Sequence, residues 1–367
     1  MKIILAPDSY KDCLSAIDVC HAMEAGIRRV APSSEVVYLP IADGGEGTLE
    51  ALSCAAGISL ITESTCDPLG RTITASFGLD GETAIVELAQ ASGLQLLSKE
   101  ERNPEKTSTY GTGLQIKSAI EKGAKTVYIT LGGSATTDGG MGLLRALGAK
   151  FYDAAGDELL GCGADLIRVS SMDLSALPTN IAFSLVCDVK NPLFGPDGAA
   201  YIYGPQKGAD SKMVERLDAG LRNLHRTCKA NGLEIDGIAA GAAGGVGALQ
   251  GFLSATVVSG IDWVLEQCHF YEYLKDASLV LTGEGKTDSQ TLNGKAMYGI
   301  AVAAKTQNVP VIGISGSLGN DLEGLYACGV TALFSICNHP MSLSEALERA
   351  ASLITAQTEN VLRCFSV

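Results

Sequence analysis

The chain reads as an α/β protein of two domains: a doubly wound domain built from both ends of the sequence, with a second α/β domain inserted into it. Three observations predict this. Apolar, β-rich runs alternate with amphipathic helical patterns, and each run ends in Gly, Asp, Ser or Thr before the next helix. The βα pattern of the first residues returns at the far end of the chain. Between them lie paired strand-like segments and Gly-rich helices of a different kind, which suit an insertion whose ends return side by side better than two domains in tandem. The expected boundaries are 1–65 plus 276–367 for the first domain and 66–275 for the inserted one. A length of 367 residues exceeds one ordinary core, and 46% apolar residues can fill two.

The elements follow in order. KIILAP is a strand, and the helix after it starts near Ser15, whose spacing to Asp18 is that of a capping box. Its apolar stripe is Ala16, Val19, Cys20, Met23 and Ile27. RTITASFGL and ETAIVEL are strands joined by a turn at Asp80-Gly81, a hairpin signal. VYIT is a further strand, followed by a helix. Residues 237–261 carry no charge and are long enough to raise a membrane span, but seven glycines with Ser254, Thr256 and Ser259 predict close helix packing in a soluble core instead. At the far end come ASLVLTGEG, a helix near 294–307, PVIGISGS, another helix, TALFSI and a last helix. That helix opens with Ser342 and Glu345 in capping-box spacing and has apolar residues at Leu343, Ala346, Leu347, Ala350 and Ile354.

A net charge of -14 with no Lys/Arg cluster counts against nucleic acid and against an anionic membrane as partners. It leaves anionic small molecules open, since a few local cations suffice for those. Eleven scattered cysteines without a CxxC pair, and an N-terminus without a signal-peptide pattern, predict reduced thiols in a cytoplasmic protein and no zinc. A homo-oligomer stays open. The histidines at 21, 225, 269 and 339 share no motif. GxSxG and a GxGxxG after the first strand are both missing, which counts against hydrolases and NAD enzymes.

Ligands of open parallel sheets bind beyond the carboxyl ends of the strands, so the polar loops there are where chemistry should gather. Six stand out: PDSYK (7–11), ADGGEG (42–47), LGGSATTDGG (131–140), CDVKNPL (187–193), TGEGKTD (282–288) and SGSLGN (315–320). In LGGSATTDGG, paired glycines admit a ligand to the backbone, Ser134, Thr136 and Thr137 bring hydroxyls, and a helix from about Gly139 is expected to offer free N–H groups to an anion. The segment resembles a phosphate cradle, although it lacks the GK[ST] ending of a Walker A loop. In ADGGEG, Glu46 reads as a helix-dipole partner, whereas Asp43 at the strand end can hold Mg²⁺. Phosphoryl transfer needs cations against developing charge and a carboxylate to orient or deprotonate the attacking hydroxyl. Lys207 and Lys11 suit the first role. Asp188, Asp8 and Asp288 suit the second, or the metal.

Taken in order, APDSYK, ADGGEGT, YGTG (110–113), LGGSATTDGG, CDVKNPL, GPQKGA (204–209), GAAGG (241–245) and TGEGKTD resemble the type 1 glycerate kinases of bacteria over nearly the whole chain. The resemblance implies a Rossmann- or flavodoxin-like doubly wound parallel sheet with a second α/β domain inserted into it. It also implies ATP- and Mg²⁺-dependent phosphorylation of D-glycerate, most members resembling producers of the 2-phosphate. The chain departs from the family pattern at Leu114, where glutamate is common, at AMYG after Lys295, where proline is often found, and at Lys286, where arginine is more usual. The last keeps charge but loses a bidentate fork.

On that footing Asp188 is the expected general base, with Lys207 and Asp8 also catalytic. Ser9, Lys11 and Asn191 are expected to bind substrate. Gly132, Gly133, Ser134, Thr136, Thr137, Gly283 and Glu284 are expected at the nucleotide, and Asp43 and Asp288 at the metal. A kinase for another small hydroxy acid or polyol, and a binding protein without turnover, are the alternatives.

Overall fold

The computed structural model describes residues 1–11, 13–42, 44–292 and 294–365. These form two compact units, Met1–Asp43 with Glu50–Gly57 and Gly260–Val367, and Gly44–Leu49 with Ile58–Ser259. The boundaries differ from those expected. Ser59–Cys66 pairs along its whole length with Thr72–Asp80, which draws it into the second unit. Residues from Gly260 onward go with the first, where Ile261 packs against Gly299.

The first unit is a five-stranded parallel sheet in the order Val330–Ser335, Val311–Ser315, Leu279–Thr282, Lys2–Leu5, Glu35–Tyr38. Numbered along the chain this is 2-1-3-4-5, the flavodoxin-like order, and its topological switch point lies between Lys2–Leu5 and Leu279–Thr282. The central strands are buried and almost wholly apolar, as a sheet covered on both faces demands. PDSYK and TGEGKTD leave the two strands that flank the switch point, and the Asp8 N–H donates to the Gly283 carbonyl at 2.8 Å.

Ser15 caps the helix Ala16–Val30, its hydroxyl accepting from the Asp18 N–H at 3.2 Å. That helix lies against Ala350–Phe365 so closely that a Cβ at Gly26 would stand 2.5 Å from the Thr355 carbonyl oxygen. The expected last helix is two, Leu343–Glu348 and Ala350–Phe365, with Arg349 between them. Ser342 caps the first as its spacing predicts. Leu343 is 75% exposed, so the apolar stripe joins the core only from Ala350 onward.

The second unit is a six-stranded sheet in the order Thr256–Val258, Ala182–Val186, Thr126–Thr130, Thr83–Glu87, Thr72–Asp80, Ser59–Cys66. The first four run parallel and the last two form an antiparallel edge. The hairpin turns at Asp80-Gly81 as expected, with Asp80 opposite Thr83. Residues 237–261 break into Ala242–Gly245, Val246–Ala248, Leu249–Phe252 and the edge strand Thr256–Val258. Among the described residues no helix is long and apolar enough to cross a membrane.

Candidate active site

In the first unit the glycine-rich turn after Leu279–Thr282 is organised by one carboxylate. Glu284 is buried; its Oε1 accepts from the hydroxyls of Thr287 at 3.0 Å and Thr291 at 2.7 Å, and its Oε2 from the Lys295 ammonium at 3.0 Å. Thr287 also shares a hydrogen bond with Ser315 at 2.7 Å, which ties this turn to SGSLGN on the next strand. The Glu284 side chain is thus occupied by the hydroxyls and the ammonium that follow it in the chain. Asp288 is likewise engaged: Lys286 lies 2.8 Å from its Oδ2, and the Gln290 N–H donates to Oδ1 at 3.0 Å. The Lys286 ammonium and that amide hold Asp288 below the ordinary carboxylate range.

Across the switch point, Asp8 and Ser9 are half-buried and Lys11 is exposed. Asp8 Oδ1 accepts from the Ser9 N–H at 2.6 Å. Tyr10 is buried, and its hydroxyl donates to the Ile314 carbonyl at 2.6 Å. Burial, with Glu284 close by, pushes that phenol far above its ordinary value, so it stays a donor. Asp43 lies outside the described residues; the strand before it ends at Tyr38.

In the second unit, LGGSATTDGG follows Thr126–Thr130 as expected, but the helix it leads into, Met141–Ala146, has no N–H groups to spare at its start. Asp138 is fully buried and accepts from the Gly140 and Gly142 N–H groups, each at 3.2 Å, and from the Thr109 N–H and hydroxyl, each at 2.7 Å. Thr109 Oγ1 in turn accepts from the Leu143 N–H at 2.9 Å. An internal carboxylate therefore occupies the place an outside anion was expected to take. Burial raises the Asp138 pKa against the pull of those donors.

Lys207 lies beneath the same loop, 1% exposed, its ammonium donating to Ser134 Oγ at 2.8 Å and to the Thr136 carbonyl at 2.6 Å. Burial lowers it to about 7, with Asp138 pulling the other way. Thr136 and Thr137 are fully buried, their hydroxyls without a hydrogen-bond partner among the described residues. The loop meets solvent at Gly132 and Gly133.

Asp188 follows Ala182–Val186, the neighbour of Thr126–Thr130, with Val186 opposite Thr130. It and the phosphate-cradle candidate thus leave adjacent strand ends. Ser259 donates to Asp188 Oδ1 at 3.0 Å. Asn191 is occupied at both ends, donating to the Asp197 carbonyl at 2.8 Å and accepting from the Tyr203 hydroxyl at 2.6 Å.

A family model described as the glycerate kinase family matches residues 3–366. The chain belongs to the glycerate kinase family. This kinase is 44% identical to a glycerate kinase of Bacillus subtilis (strain 168), over 98% of its own length and 97% of the relative's. It is 42% identical to a glycerate 2-kinase of Escherichia coli (strain K12), over 100% and 98%. The crystal structure of a putative glycerate kinase 2 from Salmonella typhimurium LT2 superposes with a TM-score of 0.86 at 40% identity, covering 100% of this chain and 98% of that one.

Among the described residues of the kinase no three His, Cys, Asp or Glu side chains gather as a metal cage. Mg²⁺ in kinases is held chiefly by nucleotide phosphates and water with one or two carboxylates, a donor set that needs no preformed protein cage. Sequence reading passed over Asp138, Ser259, Lys295 and Glu87. An Asp ahead of two glycines and a helix is a capping signal that points to the first; the other three act on partners distant in sequence.

The ADGGEG and LGGS segments meet backbone to backbone. The Gly132 N–H donates to the Gly44 carbonyl at 3.2 Å, and a Cβ at Gly132 would land on the Cα of Gly45. Gly132→Ala is therefore expected to destabilise the fold by about 1–3 kcal/mol and, on the expectation that this loop receives the nucleotide, to raise the KM for ATP at least tenfold. Steady-state kinetics and thermal melting check both.

Proposed function

We propose that this kinase transfers the γ-phosphoryl group of ATP to the 2-hydroxyl of D-glycerate, giving 2-phospho-D-glycerate. The observation that carries the reading is the end-to-end similarity to a glycerate 2-kinase, 42% identical over 100% of this chain. The site chemistry suits it. Asp188, at the strand end beside the LGGS loop, takes the proton of the attacking hydroxyl, with Ser259 fixing the carboxylate.

Gly132, Gly133 and Ser134 receive the nucleotide phosphates, and Thr136 and Thr137 support that loop from within. Lys207 places positive charge under it, which stabilises charge developing on the transferring group. In the first unit, Ser9 and Lys11 donate to the glycerate carboxylate and hydroxyls, and Asp8 accepts. Gly283 and Glu284 shape a turn that receives the nucleotide. Asn191 serves substrate binding through the backbone it orders, since its side chain is occupied. Asp43 and Asp288 would hold Mg²⁺, which would supply positive charge against the nucleotide phosphates.

The test is a coupled assay with Mg-ATP and D-glycerate, with the product's position read by phosphorus NMR. A 2-phosphate is expected. A 3-phosphate overturns the regiochemistry, and turnover of other hydroxy acids but not glycerate overturns the substrate.

A further inference from the structure

Glu87 is the last residue of the strand Thr83–Glu87 and is fully buried, an unusual place for a carboxylate. Its two oxygens are aimed at another segment of the chain. Oε1 accepts from the Gly47 N–H at 3.2 Å and Oε2 from the Leu49 N–H at 2.9 Å, at the start of the helix Thr48–Ala56. These amides close the ADGGEG segment. On its other side Glu87 stands opposite Thr130, the residue that leads into LGGSATTDGG, and the next N–H, that of Leu88, donates to the Thr130 carbonyl at 3.1 Å. One residue therefore joins two glycine-rich loops, by its side chain on one side and by strand backbone on the other, and the backbones of those loops touch at Gly44, Gly45 and Gly132.

We propose that Glu87 is a positioning residue for the kinase reaction, holding residues 44–47 against Gly132 and Gly133 so that the two backbones present one surface to the nucleotide phosphates. The proposal rests on the reading that the LGGS loop receives the nucleotide. A buried acceptor of two amides is well made for this task. It fixes the backbone without offering charge to the ligand, whereas a solvent-facing carboxylate there would repel a polyphosphate. Loss of either bond leaves an amide unpaired and frees the segment to move, and small displacements are amplified at a reacting centre.

The experiment compares Glu87→Gln, Glu87→Ala and Gly132→Ala in the intact enzyme. Gln keeps the shape but accepts with one oxygen, so it reads the contact even where Ala fails to fold. For Glu87→Gln the KM for ATP and the calorimetric Kd for ATP are expected to rise about tenfold, with the KM for D-glycerate within twofold. Amide exchange at Gly47 and Leu49 is expected to quicken about tenfold, with the melting temperature lowered by only a few degrees. Equal changes in both KM values, or a lower melting temperature alone, mean a merely structural role and overturn the proposal. If Gly132→Ala weakens ATP binding and Glu87→Gln does not, the Glu87 proposal fails while the nucleotide reading of the loop stands. If neither variant moves ATP affinity, the loop reading fails and takes the proposal with it.

Discussion

Lys207→Met is expected to lower kcat/KM for ATP by about 10²–10³ while the protein stays folded, with a melting temperature within a few degrees of the parent. Two opposing terms explain the small stability change. Methionine leaves Ser134 Oγ and the Thr136 carbonyl without their donor, which costs about 1–3 kcal/mol where a buried acceptor is orphaned. It also removes an amine that is unfavourable to bury in charged form, as the fall of its pKa to about 7 shows. The functional loss has no such offset, because the cation under the loop is gone and the loop's anchor with it.

The same residue sets a pH dependence. In the free enzyme Lys207 loses its proton as pH rises through about 7, so wild-type kcat/KM for ATP is expected to fall across that value. Bound polyphosphate favours the charged form, so kcat should hold to higher pH. In Lys207→Met the alkaline limb disappears and a flat, low profile remains. Stability runs the opposite way. Between about 7 and the ordinary lysine value of 10.5 the unfolded chain keeps a proton that the folded chain has lost, so this group's contribution to stability grows with pH across that window and is lost as pH falls toward 7. A wild-type profile with no fall between pH 6 and 9 would remove the cation from the mechanism.

Much of this is legible in the sequence, because it rests on local signals. An apolar run that stops at Pro7, Gly132 or Gly283 marks a strand end, and five of the six polar loops follow observed strands at once or after a single residue. ADGGEG is the sixth, separated from its strand, which ends at Tyr38, by three residues. Ser15 and Ser342 show their caps in a four-residue window. What was hidden depends on partners far away in the chain. Glu87 sits inside ETAIVEL like any strand residue, and nothing local says that its oxygens meet amides about 40 positions earlier. Lys207 reads from the sequence as a cation between glycines, and its buried partners, Ser134 and Thr136, lie about 70 positions away. Asp138 stood in plain view within the quoted loop, yet whether it faces a ligand or caps its own helix is settled by Thr109. Leu343 and Leu347 fit a helical stripe but stay at the surface, since periodicity describes a face and not what covers it.

Asp188→Asn should lower kcat by about 10²–10⁴ with the KM for ATP changed no more than a few-fold. The amide keeps the size of the side chain and can still accept from Ser259 through its oxygen, so the geometry at the end of Ala182–Val186 survives while the capacity to take a proton does not. Ser259→Ala, which removes only that orienting contact, should cost about three- to tenfold in kcat. Phosphoryl transfer passes through a loose transition state in which positioning dominates, so a base that merely orients the hydroxyl would show a much smaller loss in the Asn variant. The ratio of the two effects separates the roles. A large loss in Asp188→Asn with a small one in Ser259→Ala means proton transfer, since orientation is only partly disturbed in either. Comparable, modest losses in both mean that Asp188 acts by placing the substrate and that the proton leaves by another route.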